Sequence, residues 1–152
     1  MSIGDIYVNK HTANLLKKAG FNFPVNGYYT NASDEQNAKV VLDDDPSDFN
    51  NHDVEYNKKN NTVSAPTHEV AMKWFREKKN IIIWIEPYVT GGDIHLDMNS
   101  EIIPNRYVGH AWYNRKFNSF SAGSGYEDVM DTIISSASIL ARDIDKKQSN
   151  QQ

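Results

Sequence analysis

Residues 80–99 read NIIIWIEPYVTGGDIHLDMN, and the reading of this stretch decides the fold. Ile81, Ile82, Ile83 and Ile85 are β-branched, and such side chains pack better on a pleated sheet than around a helix. Gly91 and Gly92 then supply turn residues. Two strands are expected, over 80–88 and 93–98. Successive strand residues point to opposite faces. Ile81, Ile83 and Ile85 therefore share one side, and Ile82, Trp84, Glu86 and Tyr88 share the other. In the second strand Asp93, His95 and Asp97 oppose Ile94 and Leu96.

The pattern extends outward from there. A third strand is expected over 106–117, with Val108, His110, Trp112 and Asn114 on one face. Tyr107, Ala111, Tyr113 and Phe117 occupy its other face. Before these strands, SAPTHEVAMKWFREKKN opens with Pro66 and Glu69, both helix-start signals. Its Val70, Ala71, Trp74 and Phe75 line one side of a helix over about 66–79. After them, Ser124 and Glu127 fit a capping box. Val129, Met130, Ile133, Ile134, Ala137, Leu140, Ala141 and Ile144 then form a broad apolar face.

The expected class is α+β: a three-stranded antiparallel sheet with two helices on one face. To this core, residues 64–145, the segment 1–63 adds an N-terminal helix and an acidic loop or weak hairpin. That helix is KHTANLLKKAGF, with Gly20 where a C-terminal cap belongs. NGYYT and AKVVL are candidate strands, and DDDPSDFNNHD reads as loop. DVEYNKKNNTVSA reads as a weak hairpin with an Asn-Lys turn. Residues 1–145 form a single domain, and the polar tail 146–152 is expected to fray.

Composition narrows the function. The 152 residues contain no cysteine, which excludes disulfides, thiolate metal sites and cysteine nucleophiles. No stretch approaches the roughly 20 apolar residues of a membrane span, and MSIGDIYVNK has no signal pattern. A cytoplasmic protein without a membrane partner is the expectation. Residues 31–56 carry eight acids against Lys39; the chain total of −4 therefore leaves +3 elsewhere. That balance speaks against coating duplex nucleic acid, whose affinity comes from neutralising phosphates.

The segments TANLLKKAGF, APTHEVAMKWFREKKNIIIWI and GYEDVMDTI resemble small proteins of phages, prophages and mobile elements of Bacteroidetes-type bacteria. The resemblance covers under half the chain and implies such an origin, with a bacterial cytoplasm as the setting and virion association open. It carries no functional residue. The helix–strand–strand–strand–helix order also looks like a double-stranded-RNA-binding domain. Such domains grip phosphates with lysines at the start of the last helix, where this chain has Glu127, Asp128 and Asp131.

No catalytic motif is present: no GxSxG, no Walker A loop and no HExxH. The acidic stretch fails the EF-hand pattern in both registers, because Asp48 or Phe49 stands where glycine is needed. SAGSG at 121–125 reads as a helix-capping loop. Asp93, His95 and Asp97, with His110 in reach, form an incomplete metal set, and neither metal nor cofactor is expected. The aromatic sheet face is the candidate binding surface: Trp84, Tyr88, His95, His110 and Trp112. It can be covered by the N-terminal segment, by a protein partner or second copy, or by stacked bases. The expected function is a non-enzymatic accessory protein that binds protein or itself. The alternative is a binder of single-stranded nucleic acid or regulatory DNA.

Overall fold

The computed structural model describes residues 6–30, 34–89 and 102–151. Among the described residues, two three-stranded antiparallel sheets and four α-helices share one apolar core. The elements that begin the chain are α1 (Lys10–Lys18), β1 (Val25–Tyr29), β2 (Val41–Ser47), α2 (Glu55–Asn60) and β3 (Val63–Ser64). Then come α3 (His68–Trp74), β4 (Ile81–Val89), β5 (Ile102–Tyr113), β6 (Lys116–Ser124) and α4 (Tyr126–Ser149).

The isoleucine run does form β4. Its side chains Ile81 and Ile83 are buried, and α4 packs along this sheet. From α4, Val129, Met130, Ile133, Ile134, Ala137 and Ala141 are buried, while Leu140 and Ile144 are packed at the margin. These are the residues that helical periodicity placed on one face. The helix α3 packs against α4, and its end delivers Trp74 and Phe75 to the same core. Thr67 caps α3 through a bond from Val70 N to its hydroxyl, which leaves Pro66 just outside the helix. A π-helical turn at Phe75–Lys79 follows, ended by Asn80 in the left-handed conformation at φ 55°.

The third strand differs from expectation. The sheet order is β4-β5-β6, so β4 pairs with 102–113, and 116–124 supplies the outer strand. The expected strand 93–98 lies outside the described residues. The continuous strand expected over 106–117 is broken by a two-residue turn. Asn114 and Arg115 both have positive φ, 53° and 63°, between the paired residues Tyr113 and Lys116. Two such residues in succession match the hairpin turn whose twist suits its strands. Arginine is not a usual residue there, so the sequence gives little warning. In consequence Ser121–Ser124 belongs to β6 rather than to a capping loop. The N-cap of α4 is Gly125 at φ 85°, with no side-chain cap bond, and the capping box of Ser124 is not made.

The N-terminal third is more than a helix and a loop. Residue order β2-β1-β3 makes a second sheet, and Val8, Leu16, Phe21, Tyr28, Tyr29 and Phe49 join the common core. The helix α1 behaves as expected: Asn9 accepts from Thr12 N, and Gly20 takes φ 94° just past its end. The acidic run is drawn into β2, but loosely. Leu42 pairs with Gly27 and Ser47 with Val25, so Asp43–Pro46 bulge out opposite Asn26 alone. Asn26 Nδ2 donates to the carbonyl of Asp43 at 2.9 Å and fixes the bulge. The expected hairpin over 53–65 is instead the short helix α2, closed by Asn61 at φ 46°. Helix α4 continues past 145 to Ser149, into the polar tail.

Candidate functional site

The side of the β4-β5-β6 sheet turned away from α4 carries the candidate surface. Antiparallel register sets Trp84 opposite His110, Ile82 opposite Trp112, and Glu86 opposite Val108. Directly opposed side chains of an antiparallel pair lie on the same face and touch. The rings of Trp84 and His110 stack at 4.8 Å with 21° between their planes. His110 Nε2 and Glu86 Oε1 lie 2.7 Å apart. A carboxylate can only accept, so this bond puts a proton on Nε2. At the far end, the Arg106 guanidinium sits 5.3 Å over the Tyr88 ring, a cation–π contact.

Of the five residues assigned to this surface, the structure therefore gathers Trp84, Tyr88, His110 and Trp112 on one sheet face. His95 lies outside the described residues, as do Asp93 and Asp97. Among the described residues no group of three or more histidines and carboxylates could hold a metal ion. Sequence periodicity could not show the His110–Glu86 bond or the Arg106–Tyr88 contact, because both depend on which strands pair and in what register.

The N-terminal segment packs on the other side of the sheet. Its α1 lies against α4 and β3, Phe21 meets Trp74 at 5.4 Å, and Tyr7 bridges to Thr67. Most described residues of the aromatic face are half-buried, but Ile82, near its hairpin end, is 48% exposed. This combination suits contact: apolar area, one hydrogen-bonded His–Glu pair and one guanidinium.

A second polar cluster lies in the helix layer and has no counterpart in the sequence reading. His68, the first residue of α3, is buried, with Nε2 3.5 Å from Asp131 Oδ1 of α4. Asp131 Oδ1 also accepts from Asn9 N at 3.0 Å. Thr12 and Ser135 share a hydroxyl bond at 2.9 Å beside it. These contacts tie the starts of α1 and α3 to α4, which is an architectural role. A cleft of about 330 Å³ opens next to His68, between Ile6, Met72, Tyr126 and Met130. Its Glu69 and Glu127 stand in first turns, where carboxylates complement helix dipoles. No helix among the described residues is long and apolar enough to cross a membrane. No protein family, curated protein or solved structure matches this chain.

Proposed function

We propose that this protein works by binding another protein chain through the β4–β5 face, without chemistry of its own. One observation carries the reading: Ile82, half-exposed, sits among Trp84, His110 and Trp112 on the face opposite a sealed core. Exposed aliphatic and aromatic area in one patch is what protein contacts bury, and Trp and Tyr dominate the energy of such contacts. The sequence resemblance adds the setting, an accessory protein of a phage or mobile element acting in the bacterial cytoplasm.

A second reading has its own observation. Arg106 over Tyr88 pairs a guanidinium with an aromatic ring, as single-strand binders do to stack bases. Arg106 is, however, the single cation among the described residues of that face, and Glu86 shares the face with it. A backbone-tracking groove needs more positive charge than this.

The test is the double variant Trp84→Ala, Tyr88→Ala. The variant is expected to melt within a few degrees of wild type while losing self-association in sedimentation velocity, or losing its pull-down partner. A loss of several kcal/mol in stability would instead make these rings part of the core. Binding to a single-stranded oligonucleotide in a fluorescence titration, lost in the same variant, would favour the second reading.

A further inference from the structure

Residues 26 and 27 are the chain's one Asn-Gly pair, and the fold requires each half of it. Gly27 lies in β1, where a Cβ would meet Ala65 O at 2.8 Å, Val40 Cγ1 at 2.9 Å and Tyr7 Cε1 at 3.0 Å. A larger residue would displace these atoms. Asn26 is the clasp of the β2 bulge: its Nδ2 donates to the carbonyls of Asp43 at 2.9 Å and of Asp44 at 3.4 Å. A carboxylate in its place could not, because it has no N–H to give. Packing and hydrogen bonding thus set side by side two residues that react with one another. Glycine leaves its backbone nitrogen unshielded by a side chain, and attack of that nitrogen on the Asn26 amide carbon closes a five-membered ring.

We propose that Asn26 is a site of spontaneous deamidation, and that the reaction irreversibly unlocks β2 from β1. The Gly27 nitrogen gives up its proton and attacks Cγ of Asn26. A C–N bond forms, the Cγ–Nδ2 bond breaks, and the amide nitrogen takes up a proton and leaves as ammonia. Water then opens the cyclic imide at either of its carbonyls and returns a proton to the ring nitrogen. One opening gives aspartate at position 26 and the other gives isoaspartate. Water is the only co-reactant.

Neither product can do what Asn26 does. A carboxylate only accepts, and here it faces the two carbonyl oxygens that the amide held. It also joins Asp43, Asp44 and Asp45 of the bulge, and like charges held close repel. The isoaspartate form lengthens the β1 main chain by one carbon beside Gly27, where the neighbouring atoms leave no room. The paired residues Val25–Ser47 and Gly27–Leu42 flank Asn26. They hold the strand extended, which carries the Gly27 nitrogen away from the side chain, and the clasp holds the amide. The ring therefore closes in conformations where β1 and β2 have parted, and local openings of this kind belong to any native ensemble. Each opening permits conversion, and each conversion favours further opening. The pair is a one-way device that records time spent open and then keeps the acidic segment free.

The experiment incubates the full chain in mildly alkaline buffer, and separately in urea that unfolds it, and follows both by peptide mass spectrometry. Hydrogen exchange is then read on the folded sample. The expected result is conversion at position 26, as aspartate and isoaspartate, slower in buffer than in urea. In converted chains the amides of 41–47 should exchange about tenfold faster than in unconverted chains of the same sample. Asn26→Asp should reproduce the faster exchange, and added salt should reduce it by screening the acids. Asn26→Gln keeps the donor and closes no five-membered ring, so it should stay unconverted and exchange more slowly than Asn26→Asp. If Asn26→Asp does not fold, the comparison within the converted wild-type sample carries the test alone. An Asn26 that stays intact in buffer overturns the site. Conversion with unchanged exchange over 41–47 overturns the unlocking. Conversion as fast in buffer as in urea overturns the dependence on opening.

Discussion

Replacing Ile83 and Ile82, separately, by alanine sets two neighbours on one strand against each other. Truncating isoleucine to alanine removes three carbons, worth roughly 0.8 kcal/mol each when fully buried. Ile83 is 8% exposed, on the α4 side of the sheet. The removed atoms there account for about 2.4 kcal/mol. A partly collapsed cavity raises the expected loss to about 2–4 kcal/mol. Ile82 is 48% exposed on the other face, so the transfer loss is about half as large, about 1.2 kcal/mol. No enclosed cavity is left to add to it. Ile133→Ala, at 0% exposure in α4, should match Ile83→Ala. The assay is urea denaturation followed by far-UV circular dichroism, run dilute enough for the chain to be monomeric. Midpoints should shift at constant slope, because a change in slope would mean altered compactness. Equal losses at Ile82 and Ile83 would refute the reasoning: both faces would then be core and the aromatic surface would be a second interior. A loss near zero at Ile83 would refute it from the other side.

Three further outcomes are expected. The Tyr29 phenol is pushed up to about 12 by burial, with the Asp131 carboxylate adding to it. Its neutral form therefore stabilises the fold below about pH 10, and that contribution is lost as pH rises through about 12. Alkaline unfolding should show this component, and Tyr29→Phe should abolish it while losing the 2.7 Å bond to the Val8 carbonyl; an unchanged profile would contradict the assignment. Gly27→Ala should destabilise by about 1–3 kcal/mol through overpacking, because the added Cβ would lie 2.8 Å from Ala65 O and 2.9 Å from Val40 Cγ1; an unshifted melting temperature would contradict it. In a gel-shift titration at physiological salt, duplex DNA should not bind tightly, given the net charge of −4 and the acids that open α4; salt-sensitive submicromolar binding would overturn this.

The parts legible in the sequence are those in which one period dominates. The β-branched run gave β4 and its two faces, and the broad apolar stripe gave α4 almost residue for residue. Trp84 and Tyr88 could be placed on a common face by alternation alone, and so could His110 and Trp112. The illegible parts depend on chemistry that a single sequence does not display. A turn made by Asn114 and Arg115 hides the start of β6, because neither residue is glycine and the flanking pattern runs on. Of the second sheet, NGYYT marked the first strand, but the second runs from the end of AKVVL into the acidic stretch read as loop, and the third has only two residues, too few for any period. Glu86 becomes a partner of His110 only once β4 and β5 are in register. His68 and Asp131 are brought together by helix packing, for which local sequence carries no signal.

The contacts from α1 to α4 also set an order of events. Asn9 bonds to Asp131 and Thr12 to Ser135 across sequence separations of 122 and 123 residues. An earlier-synthesised helix is thus docked on a much later one. A chain emerging from the ribosome holds α1 and the first sheet before α4, against which α1 packs, has been made. Closing so long a loop slows folding, so the N-terminal third stays unsealed until α4 has been made.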